Sequence, residues 1–184
     1  MKKLDIFSGE YGKELKSLRE HLINKNMESF PYKEWLRVIV HELLNYDSED
    51  EERPDDYRDG FFYALKDIYS YEGVAYHGFM TNGDSNDIIK GMKTIVSYSK
   101  SIEIAYEFAT SSDDFNSNII VTNIKNGFDF GKFLNDIKDY LEEDDKVYLR
   151  EEEIWGYQDD KNANIINCSN LSLEALKSAL GKEC

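Results

Sequence analysis

Three short segments of this chain carry side chains suited to chemistry: Ala75-Tyr76-His77-Gly78, Ser97-Tyr98-Ser99-Lys100-Ser101 and Arg150-Glu151-Glu152-Glu153-Ile154-Trp155. In the first, His77 ends a β-rich run and Gly78 lets the backbone approach a ligand closely. A His standing alone is more often a buried, hydrogen-bonded one. In the second, extended backbone puts Ser97 and Ser99 on one side and Tyr98 on the other. Ser99 or Ser101 also suits the N-cap of the helix that follows. In the third, Glu151 and Glu153 share a face if the chain is extended, a carboxylate pair of the kind acid–base chemistry uses. An acidic turn between two strands accounts for the same glutamates in a chain with 37 acidic residues.

The elements that must hold these segments can be read from periodicity. Tyr11, Leu15, Leu18 and Leu22 recur at helical spacing up to Ile23, and Phe30-Pro31 ends that stretch. A second helix is predicted from Tyr32 to Asn45 with Trp35, Val38, Ile39 and Leu43 on its buried side. The acidic run Asp47 to Asp56 reads as an exposed loop. A third helix carries Phe61, Leu65 and Ile68 on one face. After Gly73, β-rich runs are predicted at Val74–Phe79, Thr94–Val96, Ile119–Ile124, Lys146–Leu149, Ile154–Tyr157 and Asn164–Ile166. Helices interrupt them at Ser101–Ala109 and near Gly131–Leu141. A last helix, Leu171–Leu180, is opened by Asn170 and closed by Gly181. Helices first and strands later indicate α+β.

Composition narrows the function classes. The 184 residues suit one domain, and 41% hydrophobic with 14% aromatic content is too apolar for an extended disordered chain. A net charge of −15 argues against tracking a nucleic-acid backbone and suits a basic partner or nucleic-acid mimicry. Cys168 and Cys184 lack a metal-ligand spacing and make no disulfide framework. With no signal-peptide-like run at Met1–Phe7 and no membrane-length apolar stretch, the cytoplasm of the producing or a target cell is expected, with no membrane partner and no metal. There is no Walker or dinucleotide-fold glycine loop, and His21, His41 and His77 are scattered. Ser97 with His77 lacks the glycine-flanked elbow of a serine hydrolase.

The order of the three segments resembles that of the NAD-dependent ADP-ribosyltransferases, whose Arg-Gly, Ser-Thr-Ser and Glu-x-Glu segments follow one another along the chain. His77 stands where most toxin-like members carry Arg, as in the His-Gly of the poly-ADP-ribose polymerase branch, and Tyr98 splits the serine pair. The helix pattern Ala105-x-x-Phe108, the strand Ile119–Ile124 and the turn at Gly127 extend the likeness over residues 71–157.

The resemblance implies the family's split two-sheet β core in one domain of residues 1–184. Residues 1–70 would form its helical N-terminal region, residues 71–167 its β-rich core and residues 168–184 its C-terminal helix. It implies NAD as co-substrate, bound by His77, Gly78, Ser97, Tyr98 and Ser99, with Glu153 catalytic, Ser97 helping to hold that glutamate and the nicotinamide ribose, and Glu151 selecting or activating the acceptor. Arg grips pyrophosphate with two hydrogen bonds whereas neutral His suits a hydroxyl, so His77 is expected at the adenosine ribose. Tyr76, Tyr98 and Trp155 either supply ring surface for the ligand or belong to the core. The implied activity is mono-ADP-ribosylation of a macromolecule, protein more than nucleic acid, as a bacterial toxin or a phage or defence effector, with an antitoxin or inhibitor as a further partner. An NAD glycohydrolase is the nearest variant. The other class is a non-enzymatic acidic protein, either a pseudo-transferase or a nucleic-acid mimic.

Overall fold

The computed structural model describes residues 11–44, 56–82, 95–112, 115–157 and 163–181. The stretch Met1–Phe7, the acidic residues 47–55, Thr94 and Cys184, each read above from sequence, lie outside them. The chain groups into two compact units, residues 1–70 with 130–150, and residues 71–129 with 151–184.

The first unit is helical. Helix α1 (Gly12–Ile23) buries Leu15, Leu18 and Leu22, the expected stripe. Helix α2 (Lys33–Leu44) buries Leu36, Ile39, Val40 and Leu43, while Val38 is 60% exposed. Of the four residues expected on the buried side, Ile39 and Leu43 are buried and Trp35 is half-buried against Phe61, while Val38 points outward and Leu36 and Val40 complete the stripe. Helix α3 (Asp56–Leu65) ends before Ile68, which falls in the turn after it.

Helix α5 (Phe130–Asp136) returns to this unit, and Phe133 meets Phe61 and Tyr69 edge-on at 6.1 and 5.7 Å. Tyr69 donates to Asp136 (2.9 Å), and burial together with that carboxylate raises its phenol. The sequence had placed residues 130–150 in the β-rich core. The expected strand Lys146–Leu149 instead belongs to a 3-10 helix, Asp144–Glu151. Its opening aspartates suit a helix N-terminus, and one of them, Asp145, is buried and bonded to His41 at 2.9 Å. Val147, read as part of a strand, lies in this 3-10 helix and is exposed.

The second unit is an antiparallel sheet with helices, so the molecule is α+β. Strands β1 (Ser70–Thr81), β2 (Ile95–Ser99), β3 (Asn116–Asp129), β4 (Glu153–Tyr157) and β5 (Asn164–Asn167) form one sheet in the order β1-β2-β4-β3-β5. Two separate sheets were expected. The long β3 joins what would be two: residues 118–121 pair with β5, residues 128 and 129 with β4, and β3 also pairs with β1. Helix α4 (Ile102–Ala109) follows β2, and α6 (Leu173–Ala179) closes the unit. Ser172, not Asn170, caps α6 by accepting from the Ala175 amide, and Gly181 takes the left-handed φ of +66° just past its end.

Alternation along these strands separates two cores. On one side Tyr76 packs with Ile102, Ala105, Ala109 and Ile119. On the other, Ala75, Val96, Tyr98, Ile124 and Ile154 cluster. Each buried aliphatic or aromatic side chain contributes roughly 1.5–3 kcal/mol, so both faces of β1 and β2 are fixed in place.

Candidate functional site

Strands β2 and β4 pair antiparallel with Ser97 opposite Trp155, Tyr98 opposite Ile154 and Ser99 opposite Glu153. Directly opposed residues share a face, so Ser97, Ser99, Glu153 and Trp155 lie together and Tyr98 and Ile154 lie behind them. On that shared face the Ser97 hydroxyl donates a hydrogen bond to Glu153 Oε1. The Trp155 indole Nε1 donates to the same oxygen at 2.7 Å. Ser97 and Glu153 are half-buried and Trp155 is 1% exposed. Phe128, opposite Trp155 on β3, meets the indole edge-on at 5.4 Å and fixes its plane.

The two other serines act on the backbone. Ser99 Oγ donates to the Glu151 carbonyl (2.7 Å) and accepts from the Ser101 amide (3.0 Å). Ser101 is the N-cap of α4: its Oγ accepts from the Ile104 amide (3.3 Å) and donates to Glu103 (2.7 Å). Of the two cap candidates, Ser101 caps the helix and Ser99 ties β2 to the residue that begins the acidic segment.

Glu151 does not share a strand face with Glu153. It ends the 3-10 helix, and Glu152 has a φ of +48°, a left-handed backbone that breaks the extended path before β4 starts at Glu153. The Glu152 carbonyl accepts from the Lys100 amide at 3.3 Å. Glu151 thus precedes β4 and lies off the pleat that carries Glu153.

His77 lies on β1, where Tyr76 pairs with Ser99. Its Nδ1 donates to the Ser97 carbonyl at 2.7 Å. The ring stacks on Phe79 at 5.9 Å and 17° and meets Tyr98 edge-on at 5.8 Å. His77 therefore keeps company with Tyr98, behind the face that carries the Ser97 hydroxyl and Glu153, and reaches the site through the Ser97 backbone. Gly78 is explained by packing: a Cβ there would stand 1.8 Å from the Ala105 carbonyl oxygen. Its bare face admits the α4 backbone, so the close approach expected of it is made by a helix. Tyr76, Tyr98 and Trp155, whose roles were open between ligand surface and core, are all at most 2% exposed.

Next to this face Lys100 Nζ pairs with Asp129 at 2.8 Å and lies over the Tyr71 ring. Burial first, then the charges of Asp129 and Glu152, push the Tyr71 phenol up. Cys168 is buried, and burial pushes its thiol up as well, which makes it a packing residue. Among the described residues no group of three His, Cys, Asp or Glu side chains is placed to hold a metal ion, and no helix is long and apolar enough to cross a membrane.

Sequence reasoning missed the indole as a partner of Glu153. The available signal was spacing: residues two apart on a strand share a face, and a buried tryptophan needs an acceptor for its N–H. Comparison with protein-family models, curated proteins and solved structures finds no match to this chain.

Proposed function

We propose that this protein is an NAD-dependent mono-ADP-ribosyltransferase acting on a macromolecular acceptor, with Glu153 as its catalytic carboxylate. The observation that carries this reading is the bond from the Ser97 hydroxyl to Glu153 across the β2–β4 ladder. That pairing brings together the serine of the second segment and the last glutamate of the third, 56 residues apart, the two residues whose association the resemblance implied. The sheet is then a variant of the transferase core, with β1, β2 and β4 as the strands of the three segments.

Transfer breaks the bond between the ribose anomeric carbon and the nicotinamide nitrogen, both electrons leaving with nicotinamide. The sugar carries positive charge as in glycoside hydrolysis. Glu153 accepts a hydrogen bond from the ribose 2'-hydroxyl, a contact stronger in the transition state than before it. Ser97 holds the carboxylate for that task. The acceptor forms the new bond to the anomeric carbon and gives its proton to a base, for which Glu151, one left-handed residue away, is the candidate. The charge of −15 favours a protein acceptor over a nucleic-acid backbone.

The test is incubation with NAD labelled in the adenine moiety, with and without cell lysate, following nicotinamide release and label entering protein, RNA or DNA. Release by the wild type and its loss in Glu153→Gln support the reading. A wild type that neither binds NAD nor releases nicotinamide sinks it and leaves a non-enzymatic acidic protein. Label found only in free ADP-ribose assigns the glycohydrolase variant.

A further inference from the structure

We propose that Trp155 is a positioning residue for Glu153, its indole N–H acting with the Ser97 hydroxyl on one carboxylate oxygen and so fixing the direction of the carboxylate; this rests on the functional reading above. Three observations combine. The indole is buried at 1% exposure, so its single donor must be satisfied inside the protein, and it is satisfied by Glu153 Oε1 at 2.7 Å. The second donor on that oxygen, Ser97, is the residue directly opposite Trp155 in the ladder, so both donors come from one cross-strand pair and converge on a single atom. Phe128, opposed to Trp155 from the third strand, sets the plane of the indole and hence the direction of its N–H.

A glutamate side chain has three rotatable torsions, and a single donor leaves the carboxylate free to swing about it. Two donors on Oε1, one from each strand of the β2–β4 ladder, hold those torsions. The indole cannot take or give up a proton at ordinary pH, so it adds no acid–base route of its own. Its contribution is orientation, which enters the chemical step more than binding.

Two measurements test this. The Trp155 indole N–H signal in a proton–nitrogen correlation spectrum is identified by its loss in Trp155→Phe, since Trp35 supplies the other. It is expected to shift in Glu153→Gln and in Ser97→Ala, while the Trp35 signal stays. An indole signal unmoved by Glu153→Gln overturns the contact, whatever the enzymology. In nicotinamide release, Trp155→Phe, which keeps the aromatic bulk but not the donor, is expected to lower kcat about tenfold with KM for NAD within about twofold. An unchanged kcat, or a loss confined to KM, overturns the positioning role. Should Trp155→Phe fail to fold, Trp35→Phe assigns the two indole signals by leaving only that of Trp155, and its shift in Glu153→Gln decides the matter, because that variant leaves Trp155 in place. A wild type with no nicotinamide release would remove the functional reading alone, while the indole signal still decides whether Trp155 holds Glu153.

Discussion

Two serine–glutamate pairs flank the short path from β2 into α4, and they are built in opposite ways. Ser101 and Glu103 are two residues apart; the serine caps α4, and Glu103 bonds Ser101 and pairs with Lys177 of α6 at 2.5 Å. Ser97 and Glu153 are 56 residues apart, joined across strands, and the second donor on Glu153 is an uncharged indole. A local pair backed by a lysine is a fastening, since its charge is spent on the helix end and on a neighbouring helix. A long-range pair made by a hydroxyl and an indole orients a carboxylate through neutral donors. That is what stabilising a developing cation needs.

The largest effect should separate the two glutamates. Glu153→Gln is expected to lower nicotinamide release by about 100-fold or more, the scale seen when a transition-state hydrogen-bonding group is removed, with little change in thermal stability. Glu103→Gln should leave the rate unchanged and lower the melting temperature. Steady-state kinetics and thermal denaturation on both variants check the crossing. Equal losses of activity in the two would erase the distinction drawn between the pairs.

The serines should divide the same way by smaller amounts. Ser97→Ala removes the hydroxyl donor from Glu153 Oε1, and about a tenfold fall in kcat is expected at near-constant stability. Ser101→Ala removes the N-cap of α4 and should cost about 1 kcal/mol of stability, read by chemical denaturation, with the kinetics of wild type. A Ser101→Ala protein that loses catalysis while staying folded would mean that the capping serine, and not Ser97, belongs to the site.

This division also marks what the sequence could and could not disclose. Local chemistry was legible: α1, α4 and α6 appear close to their predicted ranges, and Ser101 was one of two named cap candidates. The association of Ser97 with Glu153 was implied by the family resemblance alone, since alternation sets which face of its own strand a residue takes but not which strand it meets. Features that depend on what comes from elsewhere were hidden. Gly78 looked like a ligand position until α4 occupied its bare side, and residues 146–149 looked like a strand until Asp145 was drawn to His41. The left-handed Glu152 has no signature in a run of three glutamates, so the expected common face of Glu151 and Glu153 was an extrapolation of strand geometry past its end.

The smallest effect sharpens the comparison through pH. The bond to Lys177 first, and the Ser101 hydroxyl next, hold the Glu103 carboxyl down to about 2, below the ordinary glutamate range. A depressed folded value means that the pair's contribution is complete above the ordinary glutamate value and disappears as pH falls toward about 2. Because Glu103 is 46% exposed, screening keeps that contribution within about 1 kcal/mol, or roughly 2–4 °C in melting temperature. The measurement is the difference in melting temperature between wild type and Glu103→Gln from pH 7 down to pH 2, at low and high salt. That difference should be largest near neutrality, shrink below about pH 4.5 and be reduced by salt. A difference that persisted unchanged at pH 2 would show that Glu103 acts through packing rather than charge, and the contrast with Glu153 would then rest on position in the fold alone.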